Sequence, residues 1–213
     1  MIPRRNWAYN RDTALKVYKQ QVMKLSKAPD KREAVLHSER KLQDNGHVDW
    51  VSNLSAEQRL LLAEEDGYYL PWRVVENENS VSTPVRLVFD GSSVTSSGYS
   101  LNDLLAKGIN SMNSMVEIVI TFRSYAVTVH TDIKQMYNVI KLKPEHWKYQ
   151  RYLMEPQLDP TKPPDEKVIE TLIYGVVSSG NQAGCGLRVT ALKRKDDIPE
   201  ASACIIDDSY VDD

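Results

Sequence analysis

Three carboxylates are candidates for chemistry. Asp212 and Asp213 stand side by side in Tyr210-Val211-Asp212-Asp213, and Asp132 ends the run Ala126-Val127-Thr128-Val129-His130-Thr131. Neighbouring residues at the tip of a two-stranded hairpin can both project from the turn, and the apolar run Cys204-Ile205-Ile206 leads into that pair. Two carboxylates held there form a hard-oxygen site suited to Mg²⁺. A pair about 4 Å apart repels by about 4 kcal/mol at an effective dielectric near 20, so three clustered acids need a cation. Two Mg²⁺ ions, or Mn²⁺ in their place, would reverse that sign, bridge a triphosphate and activate a hydroxyl for in-line attack. The ordinary alternative is an acidic chain end and an Asp that caps a helix.

Composition narrows the class without naming a function. The chain has 213 residues, 41% of them hydrophobic, enough for one compact domain or two small lobes. It contains no apolar run of the roughly 18 residues a membrane span needs. The start, Met-Ile-Pro-Arg-Arg-Asn, lacks the apolar segment of a signal peptide, so a cytoplasmic location and reduced Cys185 and Cys204 are expected. With 27 basic against 29 acidic residues, the net charge of −2 argues against coating nucleic acid by bulk charge. A local basic groove stays open, since Arg4, Arg5, Lys24, Lys27, Lys31, Arg32, Arg40 and Lys41 gather at the N-terminal end. Solvated helix faces are the simpler reading of them.

The acids need elements to position them. Leu15, Tyr18, Val22 and Leu25 recur at helical spacing and predict a helix over 10–25. Ala28-Pro29-Asp30 breaks it, and a second, mostly charged helix over 31–44 is expected on the surface, capped by Asn45-Gly46. A short strand is predicted at 47–51. Ser55 and Gln58 fit a capping box that opens a helix ending near Asp66-Gly67. Residues 68–75 and 85–90 predict a hairpin, with Pro71 at an edge or strand start. After a Ser/Gly-rich loop, a short helical segment follows at 100–105, then a helix over 111–123. Its stripe of Met112, Met115, Val116, Val119 and Ile120 is expected in the core. Residues 125–131 predict a strand that delivers Asp132 to its end, with a helix at 134–139. A strand at 147–154, an exposed loop at 159–166, an apolar extended run at 168–177 and a helix centred on 187–192 complete the reading.

The residues also carry a family resemblance. Tyr210-Val211-Asp212-Asp213 resembles the catalytic hairpin motif of reverse transcriptases from retroviruses and long-terminal-repeat retrotransposons. Four upstream stretches are similar to the Bel/Pao group in the same order. They are Tyr68-Tyr69-Leu70-Pro71; residues 85–93 with Gly98-Tyr99-Ser100-Leu101-Asn102-Asp103-Leu104-Leu105; Thr131-Asp132-Ile133-Lys134-Gln135-Met136-Tyr137; and Ile173-Tyr174-Gly175-Val176-Val177-Ser178-Ser179. The likeness covers roughly residues 33–213 and is loose before Tyr68.

The resemblance implies an α+β fold of reverse-transcriptase fingers and partial palm. Its antiparallel palm sheet would have helices on one face, with the thumb absent. Residues 1–54 would lead into the fingers. Residues 55–107 and 140–174 would form the fingers, and 108–139 and 175–213 the palm, cut at the catalytic hairpin. It implies that Asp132, Asp212 and Asp213 are catalytic and hold two Mg²⁺ ions. Arg86 would grip the deoxynucleoside triphosphate, Tyr137 would exclude a ribose 2′-hydroxyl, and Tyr174 and Gly175 would form the floor under the base. The implied partners are an RNA or DNA template-primer, dNTP, and the rest of a pol polyprotein with thumb, ribonuclease H and integrase, in a virus-like particle and without a membrane. Three positions depart from the family: Glu76 where relatives carry lysine, Gly180-Asn181-Gln182 where they continue with Pro and an aromatic, and Val139 where they often have Gln. The alternatives are a non-catalytic, decayed or host-retained fragment that binds nucleic acid or protein, and an unrelated metal-dependent phosphotransferase. Activity from this stretch alone is not expected.

Overall fold

The computed structural model of the chain describes residues 9–63, 67–76, 85–109 and 112–210. Two small antiparallel sheets form its centre, with helices packed against them. The three-stranded sheet has the order β1 (Val48–Trp50), β5 (Asp165–Ile169), β4 (Arg151–Met154), with Val48 opposite Ile169 and Arg151 opposite Val168. The other sheet is the expected hairpin, β2 (Trp72–Glu76) against β3 (Val85–Phe89), with Trp72 paired to Phe89. Tyr68-Tyr69-Leu70-Pro71 is buried alongside β4, where the Leu70 N–H donates to the Arg151 carbonyl at 2.7 Å.

Helix α1 (Arg11–Leu25) buries Ala14, Tyr18, Val22 and Leu25, the stripe its spacing dictates. Tyr18 meets Trp72 edge-on with ring centroids 6.0 Å apart, and Phe89 meets Tyr152 at 5.0 Å. The Trp72 indole N–H donates to the Leu153 carbonyl at 2.8 Å, tying the hairpin to the larger sheet. Helix α2 (Pro29–Asp44) departs from its expected surface position, because Val35, Leu36 and Glu39 are buried. The physical reason is a buried ion pair. The Lys167 ammonium, fully enclosed on β5, pairs with Glu39 and donates to Gln43 Oε1 at 2.6 Å, while the Tyr152 hydroxyl donates to Glu39 at 3.1 Å. Burial lowers the Lys167 pKa and the Glu39 carboxylate opposes that shift.

Helix α3 (Ala56–Leu62) opens with the predicted capping box between Ser55 and Gln58. A short α4 (Leu101–Leu104) is capped in the same way by Ser100 and Asp103. Helix α5 (Met115–Ser124) starts later than expected, at the Ser114 cap, and buries no residue. Its stripe of Met115, Val116, Val119 and Ile120, with Met112 ahead of it, is exposed rather than in the core. The C-terminal helices α6 (Ser179–Lys193) and α7 (Pro199–Asp207) pack together, with the buried Ser202 hydroxyl donating to the Ala191 carbonyl at 2.8 Å.

The stretch carrying the acids differs most from expectation. Residues 125–131 form no strand and are exposed, and 134–139 form turns instead of a helix. The run Cys204-Ile205-Ile206 lies within α7 instead of a hairpin arm. Local chemistry accounts for the helix: Pro199 sits in the first turn, Glu200 follows at the positive end of the helix dipole, and Ala201 and Ala203 are strong formers. A strand is stable only against a neighbour that takes its N–H and C=O groups. With 204–206 helical, residues 125–131 have no such neighbour among the described residues. The strand expected at 147–154 is a 3₁₀ turn, Pro144–Tyr149, followed by β4, and the extended run from 168 stays in β5 only to Ile169, with one further bridge from Thr171 to Lys141. The exposed loop expected at 159–166 gives way to β5 from Asp165.

Candidate functional site

A cavity of about 730 Å³ opens between β3, the turns after residue 131, and helices α6 and α7. Its wall includes Arg86, Asp132 with nearby Tyr137, and Tyr174, from three distant parts of the sequence, together with Tyr210. Arg86 reaches it from an exposed position on β3, opposite Val75. Asp132 is exposed, directly after the irregular 125–131 segment. Among the described residues neither the Arg86 guanidinium nor the Asp132 carboxylate makes a hydrogen bond or ion pair. The cavity therefore holds an uncommitted guanidinium and an uncommitted carboxylate.

Tyr137 and Tyr174 form one unit. Their rings meet edge-to-face with centroids 4.3 Å apart. Asn138, buried next to Tyr137, fixes this meeting by donating its side-chain amide to the Leu172 carbonyl at 3.2 Å and to the Thr171 hydroxyl at 3.4 Å. The Leu172 N–H donates to the Ile140 carbonyl at 2.9 Å, so the 137–141 and 171–174 segments run locked together. Gln135 in the same turn takes a positive φ of 56°.

Gly175 does not line the cavity; it sets the height of Tyr174 from behind. Its φ of +96° suits only glycine, and a Cβ there would collide with the Phe89 carbonyl oxygen at the end of β3. The floor loop thus packs backbone against backbone on the hairpin that carries Arg86.

Asp212 and Asp213 lie outside the described residues, as does Val211. Tyr210, which precedes them, lines the cavity with Ser209. Asn113, to which sequence reading gave no role, holds this end. Its amide donates to the Ile206 carbonyl at 2.8 Å and the Ser209 carbonyl at 3.0 Å, and its oxygen accepts from Arg188 on α6 at 2.8 Å. A signal was available: Ser114-Met115-Val116-Glu117 has the spacing of a capping box, which puts Asn113 outside the helix and leaves its amide free to bond elsewhere. Leu187 and Ile205, also missed, supply apolar wall from α6 and α7.

Among the described residues no group of three or more His, Cys, Asp or Glu side chains is arranged to hold a metal, and Asp132 is the one carboxylate on the cavity wall. Its carboxylate is exposed and makes no bond among the described residues, so its oxygens are accessible to a hard cation. Glu76 ends β2 and pairs with Lys31 at 2.8 Å, away from the cavity, while Arg73 pairs with Asp90 at 3.6 Å. Gly180 lies against Tyr137, where an added Cβ would stand 3.4 Å from the hydroxyl. Cys185 and Cys204 are free and exposed. No described helix is long and apolar enough to cross a membrane. The chain matches no protein-family model, and no curated protein sequence matches it.

Proposed function

We propose that the chain is the fingers and partial palm of an RNA-directed DNA polymerase of the Bel/Pao retrotransposon type, joining a deoxynucleoside triphosphate to a primer 3′-hydroxyl. The observation that carries this reading is convergence. Arg86, Asp132 with Tyr137, and Tyr174 come from three separate stretches of sequence, and they line one cavity with Tyr210.

In this reading Arg86 binds the triphosphate, since its planar fork matches phosphate oxygens and no protein anion competes for it among the described residues. Tyr174, propped from behind by Gly175, gives the nucleotide a flat surface. Tyr137, braced edge-on by Tyr174, stands where a rigid ring rejects a 2′-hydroxyl by volume. Asp132, with Asp212 and Asp213, would hold two Mg²⁺ ions. When bound, such ions stabilise charge on the attacking and leaving oxygens of an in-line displacement.

The test is primer extension on an RNA template by the full-length polypeptide that carries this chain, and by the 213-residue chain itself. Asp132→Asn is expected to slow templated incorporation about a hundredfold or more in the full-length protein. An unchanged rate removes Asp132 from the chemistry. The 213-residue chain alone is expected to be inactive, because in this reading fingers and partial palm do not by themselves grip a duplex. A second reading, a non-catalytic module that binds a protein partner, draws on the exposed apolar face of α5. Full activity after Val116→Ser and Ile120→Ser, with normal incorporation by the unsubstituted protein, would count against it.

A further inference from the structure

The loop bearing Tyr174 and Gly175 is held in place by Asn102, a residue that does not line the cavity. Asn102 sits on α4, whose start is fastened by Ser100: its N–H and hydroxyl both donate to Asp103, at 2.8 and 2.6 Å. The Asn102 amide nitrogen donates to the Gly175 carbonyl at 3.0 Å and to the Ser92 hydroxyl at 2.8 Å. Its amide oxygen accepts from the Val177 N–H at 2.8 Å, and its own backbone N–H donates to the Gly91 carbonyl at 2.9 Å. One side chain therefore spans three segments: the turn after β3, α4, and the floor loop. An Asn amide suits this because it offers donors and an acceptor from the same short stem. Aspartate keeps the acceptor and loses the donors; serine lacks the reach.

The packing leaves little slack. A Cβ added at Gly91 would stand 2.6 Å from the Gly175 oxygen and 2.8 Å from the Asn102 side-chain oxygen. Movement of Asn102 is therefore passed directly to the Gly175 peptide, which is bonded to Tyr174, and through the 4.3 Å ring contact to Tyr137.

We propose that Asn102 is a positioning residue for sugar discrimination. By clamping the Gly175–Val177 backbone it sets the height of Tyr174, and Tyr174 in turn holds Tyr137 at the angle that excludes a ribose 2′-hydroxyl. The inference rests on the polymerase reading above and adds to it a residue outside the cavity that controls its selectivity. Releasing the clamp leaves Arg86 and Asp132 untouched, since neither bonds to Asn102, so the chemical step stays close to normal while the choice between sugars relaxes.

The experiment is single-nucleotide incorporation by the full-length polypeptide, with KM and kcat measured separately for a dNTP and its matching ribonucleotide. Asn102→Asp puts an oxygen against the Gly175 carbonyl while keeping the acceptor for Val177; Asn102→Ala removes both. Ser92→Ala, which removes only the third partner of the same amide, is the control. Losing a part-exposed hydrogen bond of this kind corresponds to at most about tenfold in an equilibrium. Asn102→Asp and Asn102→Ala are expected to lower the dNTP/rNTP ratio of kcat/KM by about tenfold, chiefly through KM, with Ser92→Ala within about threefold of the parent. Equal losses for both nucleotides, with the ratio unchanged, would reduce Asn102 to a structural role and overturn the inference while leaving the polymerase reading intact. An unsubstituted protein with no templated incorporation would overturn both. A measurement on the unsubstituted protein covers variants that fail to fold. The Val177 amide should exchange its hydrogen slowly, and exchange at the rate of an open loop would show that the clamp does not hold.

Discussion

Helices α1 and α5 present opposite outcomes from similar apolar content. Helix α1 is interrupted by Lys and Gln residues, yet it buries Ala14, Tyr18, Val22 and Leu25 against the sheets. In α5, Met115, Val116, Ile118, Val119, Ile120 and Phe122 make six of ten residues apolar, and none is buried. The difference lies in what each helix faces. The α1 stripe meets Trp72 and its neighbours around two paired sheets, whereas α5 precedes residues 125–131, which have no strand partner among the described residues. Apolarity states what a helix can bury, and a partner surface decides whether it does. The candidate site sits on the border between these regions. Arg86 comes from the well-packed side, and Asp132 and Tyr210 come from the looser one.

This contrast predicts an uneven response to mutation. The largest effect is expected at Lys167, on the packed side. Lys167→Met leaves Glu39 buried without its cation and should cost about 3–5 kcal/mol in denaturant unfolding. The double change Lys167→Met with Glu39→Leu should recover most of that loss, and failure to recover would mean that the pair itself, rather than the orphaned charge, stabilises the packing. Next is Gly175→Ala, which combines an unfavourable φ with a collision at Phe89. A loss of about 2–3 kcal/mol is expected by thermal unfolding; an effect below about half a kcal/mol would mean that the floor loop has room to relax.

A gentler effect is expected at His47, buried beside β1. Burial holds its imidazole below the ordinary value, and the Lys141 charge adds to that. The unfolded chain therefore takes up a proton first as pH falls. Its contribution to stability is present above about pH 6.5 and is lost as pH drops below that value toward the folded pKa. His47→Gln should flatten the stability profile below about pH 6.5. An unchanged slope would assign that pH dependence to other groups. The smallest effect is expected on α5, where Val116→Ser should change unfolding free energy by no more than about half a kcal/mol. A loss above about 1 kcal/mol would show that this face is covered in solution and would erase the contrast with α1.

The legibility of the sequence follows the same division. Helix α1, the α3 capping box and the β2–β3 hairpin are read correctly because their signals are local: spacing, a cap pair, two β-rich runs about a polar turn. The inward face of α2 is misread because Glu39 becomes a core residue only when Lys167, 128 positions away, arrives to meet it. The run at 204–206, taken only as an apolar lead into a hairpin, is helical because Pro199 and Glu200 start a helix. Asn138 and Asn113 pass unnoticed because an asparagine's partners here are distant carbonyls, which carry no sequence signal.

By itself the sequence determined which groups are chemically available: three acids, an arginine, two tyrosines and a glycine in an order that resembles a polymerase. It also determined the helices and the hairpin whose signals lie within a few residues. Only the tertiary structure decided that Arg86, Asp132, Tyr137 and Tyr174 share a cavity, that Gly175 works from behind it, and which apolar stripes are covered. Local propensity acts over a turn or two of chain, whereas a site and a core are made by contacts between residues tens of positions apart, and those exist only once the chain has folded.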